Sequence, residues 1–315
     1  MKKILTIIAI MAWFQVSFSQ ENNQNDARDI PIAVVATKQQ GMPENINIYI
    51  ENKLHQVISQ NGMGSFNYQG RFVITASIVS TTKDIIPGPP KQIAENVDIT
   101  FYIVDNMEHA IFSSTTFSAK AVEKSEEKAL IQAVRSINVK SPQIVSFVNE
   151  GREKIVAYYT AHADQIIRTA KSMAKQKKYE AALYELCAIP AACGDTYNKT
   201  LLVADAIYQE YVDHLCVKYL AKAKSVWMSQ QNEKGAEAAG EFLSYIYPDA
   251  KCYKEAQTLY TEIKSKVHDD WKFEIRKYQD GVSLEKQRIQ AWRDVGVAYG
   301  NHQQPVDYNI NWLVR

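Results

Sequence analysis

Glu180-Ala181-Ala182-Leu183-Tyr184-Glu185-Leu186-Cys187-Ala188-Ile189-Pro190-Ala191-Ala192-Cys193 decides the fold of the second half of this chain, because a degraded copy of it returns downstream. The copy reads Glu237-Ala238-Ala239-Gly240-Glu241-Phe242-Leu243-Ser244-Tyr245-Ile246-Tyr247-Pro248-Asp249-Ala250-Lys251-Cys252. Glu, Ala, Ala, Leu and Ile recur in register 57 residues apart, position 237 against 180, and Pro then Cys follow in both. Ala-Lys-Ser precedes each copy, at Ala170-Lys171-Ser172 and Ala223-Lys224-Ser225. One helical hairpin cannot bury its own apolar face, so a recurring one predicts stacked neighbours.

Upstream, Arg152 to Gln176 holds no Pro or Gly, and Ile155, Tyr158, Tyr159, Ala163, Ile166, Ile167, Ala170 and Met173 recur at helical spacing. That predicts one long amphipathic helix leading into the first hairpin, whose own helix stops at Pro190. Asp195 is the expected cap of a third helix, with Leu201, Ala206, Tyr211, Leu215 and Tyr219 on its face. The second copy stops at Tyr247-Pro248, and Cys252 opens a helix through Ala256, Leu259 and Ile263. Trp271, Ile275, Tyr278 and Val282 extend the pattern to a last helix bent at Gly281, with Ile289, Trp292 and Val295 resuming the stripe. Residues 151–300 therefore read as an all-α region, either a repeat array or a non-repeating bundle.

Residues 30–150 read differently. Ile30-Pro31-Ile32-Ala33-Val34-Val35-Ala36 fits a short buried strand, and Ile46, Ile50, Leu54, Val57 and Ile58 predict a helix that stops at Asn61-Gly62. Strands are expected at Arg71–Val79, Val97–Asp105 and Ala110–Ala119, the last two joined as an antiparallel hairpin across Asn106-Met107-Glu108-His109. Pro87-Gly88-Pro89-Pro90 reads as an irregular loop. Ser125-Glu126-Glu127-Lys128 opens a further helix with acid in its first turn. The whole is an α+β chain: a small α/β sandwich followed by helices.

Ile103-Val104-Asp105-Asn106 followed by Ala110-Ile111-Phe112-Ser113, and then a helix that begins Ser125-Glu126-Glu127-Lys128-Ala129-Leu130, resemble the periplasmic α/β domain of CsgG-like, TolB amino-terminal and LpoB-type envelope proteins. Arg71-Phe72 after Asn61-Gly62 fits the same order. The resemblance covers about 120 residues, rests on element order, and departs at Ala119-Lys120-Ala121-Val122, where glycines are usual in that family. It implies a non-enzymatic envelope domain that docks other proteins and transfers no catalytic residue. Tyr179-Glu180-Ala181-Ala182-Leu183 likewise resembles the small-residue packing site of the tetratricopeptide repeat, which implies a groove for a peptide or protein.

At the amino terminus, Met1-Lys2-Lys3, the apolar run Ile4 to Phe18 and Ser17-Phe18-Ser19 read as an export signal over residues 1–19. The run falls short of the roughly twenty residues that a spanning helix needs, so no transmembrane anchor is expected after cleavage. The first cysteine is Cys187, which leaves no lipid-acceptor cysteine at the cleavage point and predicts a periplasmic or secreted protein. Residues 20–29 read as a polar, disordered leader and residues 301–315 as a tail, ending in Ile310-Asn311-Trp312-Leu313-Val314, a stretch suited to pairing with a sheet edge. Removing Lys2 and Lys3 leaves 34 basic against 35 acidic side chains, which recruits neither nucleic acid nor anionic lipid.

Four cysteines, Cys187, Cys193, Cys216 and Cys252, in an exported chain predict disulfides. Cys187 and Cys193 straddle Pro190 and are the favoured pair, with Cys216 to Cys252 as the second; a metal site and free buried thiols compete. Asp213-His214 beside Cys216 fails as a catalytic dyad because helix residues two apart do not face one another. His268-Asp269-Asp270 fails as a metal site for a similar reason. No phosphate loop, dinucleotide fingerprint, nucleophile elbow or zinc-protease motif occurs, so no cofactor and no enzyme activity is expected. Trp227, Trp271 and Trp292 are the candidates for contact with a partner, another envelope protein or peptide; the competing role is core packing, and a small ligand or glycan is the alternative occupant.

Overall fold

The computed structural model describes residues 30, 32–36, 42, 43, 45–64, 71–267, 271, 273–279, 281–303 and 311–314. The export signal expected at 1–19, the leader expected at 20–29, His268-Asp269-Asp270 and tail residues 304–310 lie outside them.

The architecture is α+β. Strand β1 (Ala33–Val34) pairs in parallel with β2 (Phe72–Ile86), and helix α1 (Ile46–Gln60) makes the crossover. Strands β2, β3 (Gln92–Asp105) and β4 (Ala110–Glu123) follow as an antiparallel meander, so the sheet order is sequential. Alternation puts Ile74, Ala76, Ile78, Ile99, Phe101 and Ile103 on one face, where they join Ile50, Leu54 and Val57 of α1 in a single core. Each fully buried isoleucine or leucine there contributes roughly 2 kcal/mol. Helix α2 (Glu126–Ser136) starts where Ser125 accepts a hydrogen bond from the Lys128 amide, with Glu126 and Glu127 in the first turn. Its end is tied by Lys53 of α1, whose ammonium donates to the carbonyls of Arg135 and Ile137 at 3.0 and 3.1 Å.

Two strands run further than the expected Arg71–Val79 and Val97–Asp105. The pairing of β2 with β3 continues from Ser80 opposite Asp98 to Ile86 opposite Gln92, and the proline-rich stretch is only the turn of this hairpin. Prolines lack an amide to donate, so they end the ladder and the β-branched residues before them extend it.

Helix α3 (Pro142–Lys175) opens with Pro142 after the Ser141 cap, ten residues before the Arg152 start expected from sequence. Gly151 lies inside it rather than at a boundary, because the helix presses on the sheet there: a Cβ at Gly151 would stand 2.4 Å from the Ile103 side chain. Ile144, Phe147, Val148, Ile155 and Tyr159 of α3 belong to the sheet core, and Ile167, Ala170 and Ala174 belong to a second core made by the helices. One continuous helix thus spans both cores, and residue 150 is interior to it.

The second core is built by α4 (Tyr179–Cys187), α5 (Asp195–Ser229), α6 (Glu233–Ser244), α7 (Tyr253–Lys266) and α8 (Leu284–Asn301). Helix α5 is preceded by Gly194 at φ 55°, so Asp195 is its first residue and not its cap. The two related segments both form a helix, a proline turn and a further helical element, and Ala182, Leu186 and Ile189 are buried like their counterparts Ala239, Leu243 and Ile246. Where the first copy has Leu183 the second has Gly240, and the partners are exchanged to match. Gly296 of α8 lies against Leu183, whereas the Phe273 ring lies against Gly240.

Trp271 to Val282 do not extend a helix. The described residues from 271 to 279 form a connector without regular secondary structure laid on α6. Trp271 donates to the Ala236 carbonyl at 3.2 Å, Phe273 covers Gly240, and Arg276 donates to the Ser244 carbonyl at 2.8 Å. Residues 236, 240 and 244 are one helical face, so three contacts to that face outweigh the weak helical period of the connector itself. The connector carries the chain back, and α8 packs chiefly on α4 and α5.

Candidate functional site

The cysteines and tryptophans serve the interior. Cys216 and Cys252 are bonded, with Cα atoms 6.1 Å apart, whereas Cys187 and Cys193 are free. The favoured Cys187–Cys193 pair is therefore corrected. The Cys187 sulfur faces the Arg293 carbonyl of α8, and the Cys193 sulfur faces the Val156 carbonyl of α3, so the proline turn aims them at different helices. Burial pushes the Cys187 thiol up to about 12 and raises that of Cys193 as well, which leaves neither poised as a nucleophile. Trp227 and Trp292 are buried, and the Trp227 indole donates to Glu262 at 3.1 Å. Trp271 is half-buried against Tyr260 with its indole committed to α6. Large aromatics lose most water by filling the helical core, so the three do not form an exposed docking face.

Asp213 is occupied structurally. It accepts from the Lys251 amide at 2.8 Å, from the Lys251 ammonium at 2.8 Å and from Gln209 at 3.1 Å. Burial opposes ionisation, but the hydrogen bonds from Lys251 and Gln209 outweigh it and hold the carboxyl below its usual range. With Arg288 bridging Asp205 at 2.7 Å and Asp249 at 3.0 Å, this network and the neighbouring disulfide fasten α5 and α8 to the turn before α7. Among the described residues no group of three or more His, Cys, Asp or Glu side chains is arranged to hold a metal ion. No described helix is long and apolar enough to cross a membrane.

Among the described residues two of the solvent-facing features bear on function. The first is a cleft of about 590 Å³ among α4, α5, the connector and α8, lined by Glu180, Tyr211, Tyr247, Arg276, Asp294 and Tyr299. Tyr211 donates to Glu180 at 3.2 Å, and Arg276 lies 4.2 Å from the centre of the Tyr247 ring. None of the three tryptophans lines it. Sequence gave Glu180 and Tyr247 as repeat positions only, and nothing short of the tertiary fold brings residues 180, 211, 247, 276 and 294 together.

The second is the β2–β3 hairpin beyond Ile78. Val79 is 54% exposed, Ile85 56% and Ile86 40%, and Val122 on the adjoining part of β4 is 42% exposed. On the outer edge of β4, Gln143 and Lys154 of α3 donate to the carbonyls of Thr116 and Phe112. The outer edge of β2 is not covered in this way. Strand β1 pairs with it only at Val73 and Ile74, and among the described residues no other strand lies along Val79–Ile86. At the root of the hairpin Asp98 accepts from Ser118 at 2.5 Å and Ser80 at 2.6 Å, and these two donors hold its carboxyl low. The signal for this arm was the β-branched run Ser80-Thr81-Thr82-Lys83-Asp84-Ile85-Ile86. At the carboxyl end, Asn311–Val314 is a 3-10 turn with Trp312 stacked on His109 at 5.2 Å, not the edge strand expected there.

No protein-family model matches the sequence, and no curated protein matches it. Among solved structures, a minor lipoprotein from Acinetobacter baumannii aligns at 11% identity and a TM-score of 0.23, over 41% of this chain and 90% of that one. A PelC dodecamer from Paraburkholderia phytofirmans aligns at 12% identity and 0.23, over 41% of this chain and 88% of that one. Superposition at that level carries no argument about what the chain does.

Proposed function

We propose that the chain is an exported, non-catalytic protein-interaction or assembly factor of the bacterial cell envelope. The observation that carries this reading is the open β2 edge. A long hairpin edge with three exposed apolar side chains invites another strand. Here Val79, Ile85 and Ile86 stay exposed on either side of Lys83 and Asp84, and among the described residues no strand pairs with that edge. The signal-like residues 1–19, the envelope-domain resemblance of residues 30–150 and the tetratricopeptide-like hairpins support the same reading. A photo-crosslinking amino acid at Ile85 is expected to yield one defined adduct in living cells, lost when Thr81 or Lys83 is replaced by proline. Absence of adducts at Val79 and Ile85, together with turnover of an ester, glycan or peptide substrate by the purified chain, would overturn it.

A small-ligand or glycan binder is the second reading, and the tyrosine-lined cleft is what favours it. Saturable binding of a free sugar or small metabolite in the cleft, with no adduct at the hairpin, distinguishes it.

A further inference from the structure

The cleft already shows a cation on one of its walls. Arg276 arrives on the non-helical connector, commits its Nε to the Ser244 carbonyl and sets its guanidinium over Tyr247. On the other walls stand two carboxylates that form no ion pair among the described residues. Glu180 accepts the Tyr211 hydroxyl at 3.2 Å and Asp294 accepts the Gln290 amide at 2.7 Å, both neutral donors, so the cleft sets two exposed carboxylates against the one guanidinium of Arg276, with the His302 imidazole also in its lining. Tyr211 and Tyr299 line the same space, and an aromatic wall beside unpaired carboxylates favours a cation over a neutral or anionic group.

We propose that the cleft seats an arginine or lysine side chain delivered by an extended segment of a partner protein, its charge received by Glu180 and Asp294 and its stem by the tyrosines. This rests on the interaction reading above and names the chemistry of one contact. The connector supplies the precedent for the occupant: the chain lays its own non-helical segment along α6 and presents an arginine from it. A volume of about 590 Å³ also leaves room beyond that arginine for a second side chain and the backbone bearing it.

Calorimetric titration of the full chain tests this with three probes: a tripeptide amide with central arginine, the same peptide with neutral citrulline in its place, and free argininamide. The arginine peptide is expected to bind saturably and about tenfold tighter than the citrulline peptide, the size of a partly exposed cation–π contact plus an ion pair. Glu180→Gln combined with Asp294→Asn keeps both existing acceptors and is expected to erase that difference, and Tyr299→Leu to reduce it, at unchanged melting temperature. Equal binding of the citrulline peptide, an unaltered Kd in the double variant, or no saturable binding by any probe overturns the proposal. Argininamide binding as tightly as the peptide overturns the protein segment as occupant. Each of these failures is separate from a failure at the hairpin, which is read by crosslinking at Ile85.

Discussion

Gly296 of α8 lies directly against Cys187 of α4: a Cβ on the glycine would stand 2.7 Å from the cysteine sulfur and 3.1 Å from the Leu183 carbonyl carbon. Alanine is the better helix former by about 1 kcal/mol, but forcing a methyl group between packed backbones costs about 1–3 kcal/mol. The packing effect wins, because one of the atoms in the way is main chain. Gly296→Ala is expected to lower stability by about 1–2 kcal/mol in urea unfolding. A stabilised variant would show that α8 does not approach α4 this closely.

The Cys216–Cys252 bond closes a loop of 36 residues between α5 and the start of α7. Chain entropy for a loop of that size corresponds to roughly 3 to 4 kcal/mol. Replacing both cysteines by serine is expected to remove most of this and to lower Tm. The same Tm for oxidised and reduced wild-type chain would contradict the pairing.

Cys187 and Cys193 report on the native state. Burial raises both thiols, Cys187 to about 12, so at about pH 8 Cys187 is almost wholly protonated in the folded chain and the buried Cys193 is less ionised than a free thiol. Mass spectrometry after iodoacetamide is expected to show no modification of either until denaturant is added, and then both. Rapid labelling of Cys187 without denaturant would place its sulfur at the surface.

Glu95 gives the pH dependence. It is buried on β3, and desolvation first, then repulsion from Glu126 and Asp84, raise its carboxyl against the opposing pull of Lys83. A carboxyl raised on folding favours the protonated native state, so its contribution is most favourable at acid pH and is lost as pH rises from the unfolded value of about 4.3 through the folded one. Glu95→Gln is expected to stabilise the chain at about pH 7 and to have little effect at about pH 3. A destabilised variant at neutral pH would mean that the ionised carboxylate has partners.

Much of the fold was legible in the residues themselves. Runs rich in β-branched residues and the short connection at residues 106–109 gave β2 to β4, the Ser125 cap with its acidic turn gave α2, and Ala182, Leu186 and Ile189 with their later counterparts gave two helical hairpins. These are local signals, in which each residue's neighbours in sequence are also its neighbours in space. The helix start at Pro142 was masked by Gly151, which reads as a breaker in sequence and is a packing contact in the fold.

What the sequence alone determined is therefore the α+β class and the apolar faces, since backbone periodicity and side-chain burial preferences need no partner to be read. Only the tertiary structure decided the return of α8 onto α4, the non-helical path of the described residues between α7 and α8, which cysteines meet, and the gathering of Glu180, Tyr211, Tyr247, Arg276 and Asp294 around one cleft. Each depends on contacts between residues tens of positions apart. A weak local preference, such as the helical period of Trp271 to Val282, yields there to several long-range contacts acting together.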